Sequence, residues 1–135
     1  MQTLIVAGFL VAHALIHASF LSPRPPATAS GPQWPFELNH SWLLTPAGIG
    51  EGTLRSLGVA LLALVLAGYA GAALATIGIA PAAAFVPGIA VGSVASAVML
   101  AMFFHPWLVL GFAIDGALLW ATVAAGWRPG TLGLG

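Results

Sequence analysis

Residues 57–79 read LGVALLALVLAGYAGAALATIGI, a run without one charged side chain and with the phenol of Tyr69 as its largest polar group. As a helix rising about 1.5 Å per residue, roughly 20 such residues cross a hydrocarbon core about 30 Å thick. Three further stretches have the same character: Thr3 to Leu21, Ala82 or Pro87 to Phe104, and Trp107 to Ala125. The expected fold is therefore an all-α integral membrane protein, a four-transmembrane-helix antiparallel bundle forming one domain over 1–135. A long first loop runs from Ser22 to Ser56.

Composition points the same way. Of 135 residues, 60% are apolar and 4% are charged, against about 25% charged in a soluble domain that must hydrate its surface. Three Arg and no Lys leave no cationic footprint for phosphates, which excludes nucleic-acid binding. Without Lys there is no Schiff base to retinal or pyridoxal phosphate. Without Cys there are no disulfides, thiolate metal sites or covalently attached haem. The expected partners are the lipid bilayer and either other membrane subunits or further copies of the chain. The Ala/Gly-rich composition reads as bacterial, which places the chain in an inner (cytoplasmic) membrane.

The charges sort by position. Arg24, Glu37, Glu51, Arg55 and Arg128 fall outside the spans, and Asp115 alone falls inside. With four spans both termini share one side, A, while the first loop and the turn at His105 and Pro106 face side B. Trp34, Trp42 and Trp107 then form an aromatic belt on side B and Trp127 one on side A, as indoles settle at the headgroup boundary. Arg24 and Arg55 on side B balance Arg128 and the terminal amine on side A, so the positive-inside count favours neither orientation. Ala27, Thr28 and Ala29 match a signal-peptidase site. The first span, however, lacks a basic flank, exceeds the usual h-region and holds two histidines, so it is expected to remain as a helix.

Within the first loop, Ser22 to Pro32 is too rich in proline for helix. Trp34, Leu38 and Trp42 recur at four-residue spacing, which fits either a short interfacial helix lying on the membrane or an irregular loop capping the bundle. Thr53 is the expected N-cap of the second span, with Glu51 beside the positive end of its dipole. Small residues let helices approach closely in lipid. Gly88, Gly92 and Ser96 on the third span are expected to face Ala63, Ala67, Gly71 and Ala75 on the second, with Pro87 starting the third span or kinking it.

Depth singles out the chemistry. Counting inward from side B, His13, Ser96 and Asp115 each lie eight residues from the end of a span, or about 12 Å by helical rise. An ionised Asp at that depth costs roughly 2.5–3.5 kcal/mol or more and calls for a partner. His13 is the other titratable group at that level, so Asp115 is expected to face the bundle interior and bond His13, with Ser96 nearby. His17 follows His13 on the same helical face, and His40 and His105 also fall on side B. His13, His17, His105 and His40 are thus candidate ligands for a metal ion or a non-covalent tetrapyrrole, or steps in a proton path to Asp115. For each a structural role stands beside the functional one: interhelical bonds for His13 and Asp115, caps or headgroup contacts for His105 and His40. Tyr69 is expected nearer side A, bonded to a neighbouring helix or at the interface. Ser96 lacks a nucleophile-elbow sequence, so a serine hydrolase is not supported.

Two functions follow. One is an accessory or structural subunit of a larger membrane complex or homo-oligomer, stabilised by a buried His/Asp polar site. The other is a histidine-ligated metal or tetrapyrrole site, or a His/Asp proton relay in transport or redox chemistry. No complete catalytic constellation is present.

Overall fold

The computed structural model describes residues 1–23 and 34–129. Arg24, the Ala27-Thr28-Ala29 match and most of the proline-rich stretch lie outside the described residues. Those described contain helices, turns and irregular segments, without strand. The helices are α1 (Gln2–Ala18), α2 (Glu51–Thr76), α3 (Phe85–Met102) and α4 (Val109–Leu119). Short 3-10 turns extend α1 through Leu21 and precede α3 and α4. A π-helical turn, Trp120–Ala124, continues α4. With these extensions all four helices are long and apolar enough to cross a membrane.

The chain packs in sequence order. α2 lies against α1 and α3, and α3 against α4, whereas the backbones of α1 and α4 stand apart. Gly68 meets Gly92 and Gly88, and Gly88 meets Ala72, so α2 and α3 run antiparallel in their closest approach. The seam of α2 is therefore Gly68 and Ala72, one position round from the expected Ala63, Ala67 and Gly71; the expected Ala75 is buried, and Gly88 and Gly92 of α3 meet α2 as expected. Ala63 and Ala67 are exposed, and a Cβ on Gly71 would meet open space. The buried residues Leu54, Gly58, Leu62, Val65, Tyr69, Ala72 and Thr76 explain the shift. They form one helical stripe of period 3.6, and large side chains set its direction before small ones can.

Helix ends account for the other departures. α2 begins at Glu51 with Gly50 as N-cap, so Thr53 lies inside the helix. Six residues precede the expected start at Leu57, and the charged Glu51 and Arg55 remain exposed while Leu54 and Gly58 are buried. At the other end Gly78 adopts φ +80° and Ile79 N–H bonds the Leu74 carbonyl at 2.9 Å, a left-handed C-terminal closure that favours glycine. Pro87 falls in the first turn of α3, where its missing N–H has no intrahelical partner to lose.

The loop is the irregular cap. No helix forms over the described residues 34–50, so the interfacial helix is corrected. Leu38 is 4% exposed and packs into the core while Trp42 is 58% exposed, so these two do not share a membrane-facing surface. Ser41 Oγ–H donates to the Met102 carbonyl at 2.5 Å and Trp42 Nε1–H to the Ala101 carbonyl at 2.7 Å. These carbonyls belong to the last turn of α3, which has no later helical N–H to bond them. At the far end Arg128 donates to the Thr122 and Trp127 carbonyls, each at 2.8 Å.

Candidate functional site

The inward stripe of α1 runs Ala7, Leu10, His13, Ala14, His17, so the spacing that buries aliphatic side chains also carries both imidazoles into the bundle. His17 Nδ1–H donates to the His13 backbone carbonyl at 3.0 Å. A carbonyl can only accept, which assigns a proton to that nitrogen. The His13 ring meets His17 and Tyr69 edge-on, with centroids 4.9 and 5.0 Å apart, and stacks parallel to Phe9 at 6.2 Å. Both rings are thereby held in position.

Asp115, 1% exposed, is the point on which the helices converge. Its Oδ1 accepts from His13 Nε2 at 3.0 Å and from the Tyr69 hydroxyl at 2.5 Å. Its Oδ2 accepts from the Ser96 hydroxyl at 2.5 Å, and Ser96 Oγ also lies 2.6 Å from His17 Nε2. Tyr69 and Ser93 hydroxyls are 3.0 Å apart. With the phenol proton directed at Asp115, Ser93 is the donor of that pair. Six buried side chains thus join α1 (His13, His17), α2 (Tyr69), α3 (Ser93, Ser96) and α4 (Asp115). Hydrogen bonds to a charged group are worth about 1.5–3 kcal/mol each. Three of them are enough to offset the insertion penalty of a carboxylate.

His13, Ser96 and Asp115 are brought together, and His17 joins them through Ser96 rather than through the His13 side chain. His105 and His40 are elsewhere. His105 Nδ1 accepts from the Trp107 backbone N–H at 3.3 Å, capping the turn before α4, and His40 is exposed in the loop. Sequence reasoning missed Ser93; Tyr69 bonds neighbouring helices, as one of its two expected readings had it, but at the level of Asp115. Tyr69 was expected nearer side A by its residue count. Helical side chains lean toward the N-terminus of their helix, so the long Tyr69 side chain reaches back over the preceding turn toward side B. Gly92 makes room for it, since a Cβ there would stand 3.1 Å from the phenol ring. The lean of the side chain was the available signal.

No family model, curated protein or solved structure matches this chain. His13, His17 and Asp115 offer donor atoms within 4.8 Å of one another. The Ser96 hydroxyl bridges His17 and Asp115 where an ion would enter, and a divalent ion with two neutral imidazoles and one carboxylate would leave a net positive charge in the bundle. The donors therefore fit a hydrogen-bonded network better than a metal centre. Nor is it a hydrolytic triad, because the carboxyl bonds the serine directly and His17 is oriented by a backbone carbonyl.

A cavity of about 120 Å³ lies between α1 and α4, bounded by His13, Ile16 and His17 on one side and Leu110, Gly111 and Ile114 on the other. It fills the gap left where these two helices do not pack. Its walls are mostly apolar, and the two imidazoles are its polar feature. A tetrapyrrole is larger than the usual small ligand, whose pocket spans about 300–1,000 Å³. It would have to part the two helices, whose link here is the His13–Asp115 bond.

Proposed function

We propose that this chain is a small integral protein of a bacterial inner membrane, an antiparallel four-helix bundle that serves as a subunit of a larger membrane assembly or of an oligomer of itself. Within it the His/Asp site remains able to exchange a proton. The observation that carries this reading is the polar network. One side chain or more from every helix converges on the lone carboxyl of the spans, and protein groups satisfy it without an external ligand. Such closure suits a fixed scaffold. Support for a partner comes from the outer faces: Leu4, Ile5, Leu15 and Ile16 on α1 and Val109 and Leu110 on α4 are exposed, apolar surface that either lipid or another helix covers.

Native mass spectrometry of the full chain, released from membranes without a detergent exchange step, tests the assembly. A fixed stoichiometry above one, with itself or with a defined second subunit, is the expected result. A monomer carrying lipid alone, at every protein density tried, would overturn the subunit reading.

A further inference from the structure

We infer that His17, Ser96 and Asp115 form a proton wire closed within the bundle, which passes one proton between His17 Nε2 and Asp115 Oδ2 through the Ser96 hydroxyl. The inference rests on the proton-exchanging half of the function proposed above and is independent of any partner subunit.

The bonds fix where the protons can lie. His17 Nδ1 must carry one, because it bonds the His13 carbonyl at 3.0 Å. Two contacts remain in series, His17 Nε2 to Ser96 Oγ at 2.6 Å and Ser96 Oγ to Asp115 Oδ2 at 2.5 Å. Each needs a proton, and the serine hydroxyl supplies one. The second resides on an end of the chain. If it is on His17 Nε2, the pair is imidazolium and carboxylate, with Ser96 donating to Asp115. If it is on Asp115 Oδ2, all three groups are neutral, Asp115 donates to Ser96, and Ser96 donates to His17. Neither placement disturbs the bonds at Oδ1, where His13 Nε2–H and the Tyr69 hydroxyl donate in both.

Passage between the two is a concerted double transfer. The Asp115 O–H breaks as a new O–H forms on Ser96. The original Ser96 O–H breaks as N–H forms on His17 Nε2. The trio contains the same number of protons before and after, and only the position of charge changes. Among the described residues the members of the network are the two histidines of α1, Tyr69 of α2, Ser93 and Ser96 of α3 and Asp115 of α4. His17 also borders the apolar space between α1 and α4, but both of its ring nitrogens are already bonded, Nδ1 to the His13 carbonyl and Nε2 to Ser96, so the proton moves within the trio.

The test uses the full chain in phosphatidylcholine vesicles. Infrared spectroscopy follows the protonated-carboxyl C=O band of Asp115, and nitrogen NMR follows the protonation of His17 Nε2. In the wild type the two signals are expected to exchange in proportion, with the carboxyl band falling as the imidazolium signal rises. Ser96→Ala removes the bridging oxygen and is expected to slow that exchange by roughly 100-fold or more, the scale on which a positioned proton-transfer group acts. Asp115→Asn is the second variant. Its amide N–H takes the place of the carboxyl O–H, so the chain keeps its bonds, folds, and shows His17 neutral throughout. Exchange at the wild-type rate in Ser96→Ala, an imidazolium at position 17 in Asp115→Asn, or one bound metal ion per chain by elemental analysis would each overturn the wire. These spectra are unaffected by oligomeric state, so a failed wire and a failed subunit reading are distinguishable.

Discussion

Gly68→Ala and Gly71→Ala add the same methyl group three residues apart on α2, and their stabilities should move in opposite directions. At position 71 the new Cβ meets open space, so the variant gains the helix preference of Ala over Gly, about 0.5–1 kcal/mol. At position 68 the Cβ would stand 2.5 Å from Gly92 N, 2.7 Å from the Gly88 carbonyl oxygen and 2.8 Å from Gly92 Cα. All three are backbone atoms and cannot rotate away. Reaching 3.4 Å, the near edge of ordinary contact, from 2.5 Å requires a displacement of 0.9 Å between α2 and α3. Overpacking of this kind costs about 1–3 kcal/mol. After the same propensity gain, Gly68→Ala should be less stable than wild type by up to about 2.5 kcal/mol and less stable than Gly71→Ala by about 1–3 kcal/mol. The separation also pulls the Tyr69 ring, seated against Gly92, away from Asp115. Unfolding in bicelles, followed by the fluorescence of the five Trp, measures both. If Gly68→Ala is as stable as Gly71→Ala, the helix seam is misplaced and the route by which Tyr69 enters the site falls with it.

Three further outcomes follow from the same contacts. Tyr69→Phe removes the donor to Asp115 and strands Ser93. Interhelical side-chain bonds in membranes average about 0.6 kcal/mol with a maximum near 1.7, so the same unfolding assay should show a loss of about 1–3 kcal/mol; no loss would refute the two bonds. Ser41→Ala frees the Met102 carbonyl and the Leu44 N–H that Ser41 now bonds. Amide exchange over residues 41–48 should accelerate while that of α2 stays unchanged. His40→Ala, at an exposed site, should leave stability within about 0.5 kcal/mol, and His105→Ala should cost no more than a weak cap, about 0.5–1 kcal/mol. A larger effect of either on the Asp115 carboxyl band would mean that these imidazoles communicate with the site.

The candidate site was partly legible. Counting residues inward from side B gave His13, Ser96 and Asp115 a common depth, and such counting works because helical rise is constant. Tyr69 escaped it, because depth was assigned to its Cα whereas the hydroxyl lies about a turn away along the side chain. His17 was placed on the right face beside His13, but its bond to Ser96 was not read. Its contact is a serine on another helix, and helix rotation decides that.

The four long apolar helices, the polar ends and the isolation of one carboxyl among oily residues follow from sequence alone, since hydropathy and helical rise are local properties summed along the chain. What only the tertiary structure decided is rotation and adjacency. The seam passes through Gly68 rather than Gly71, the loop caps α3 rather than lying as a helix of its own, and α1 and α4 stand apart around a cavity. Those choices depend on how large side chains from different helices fit together. In so Ala- and Gly-rich a chain, several faces carry small residues at four-residue spacing, and packing alone selects among them.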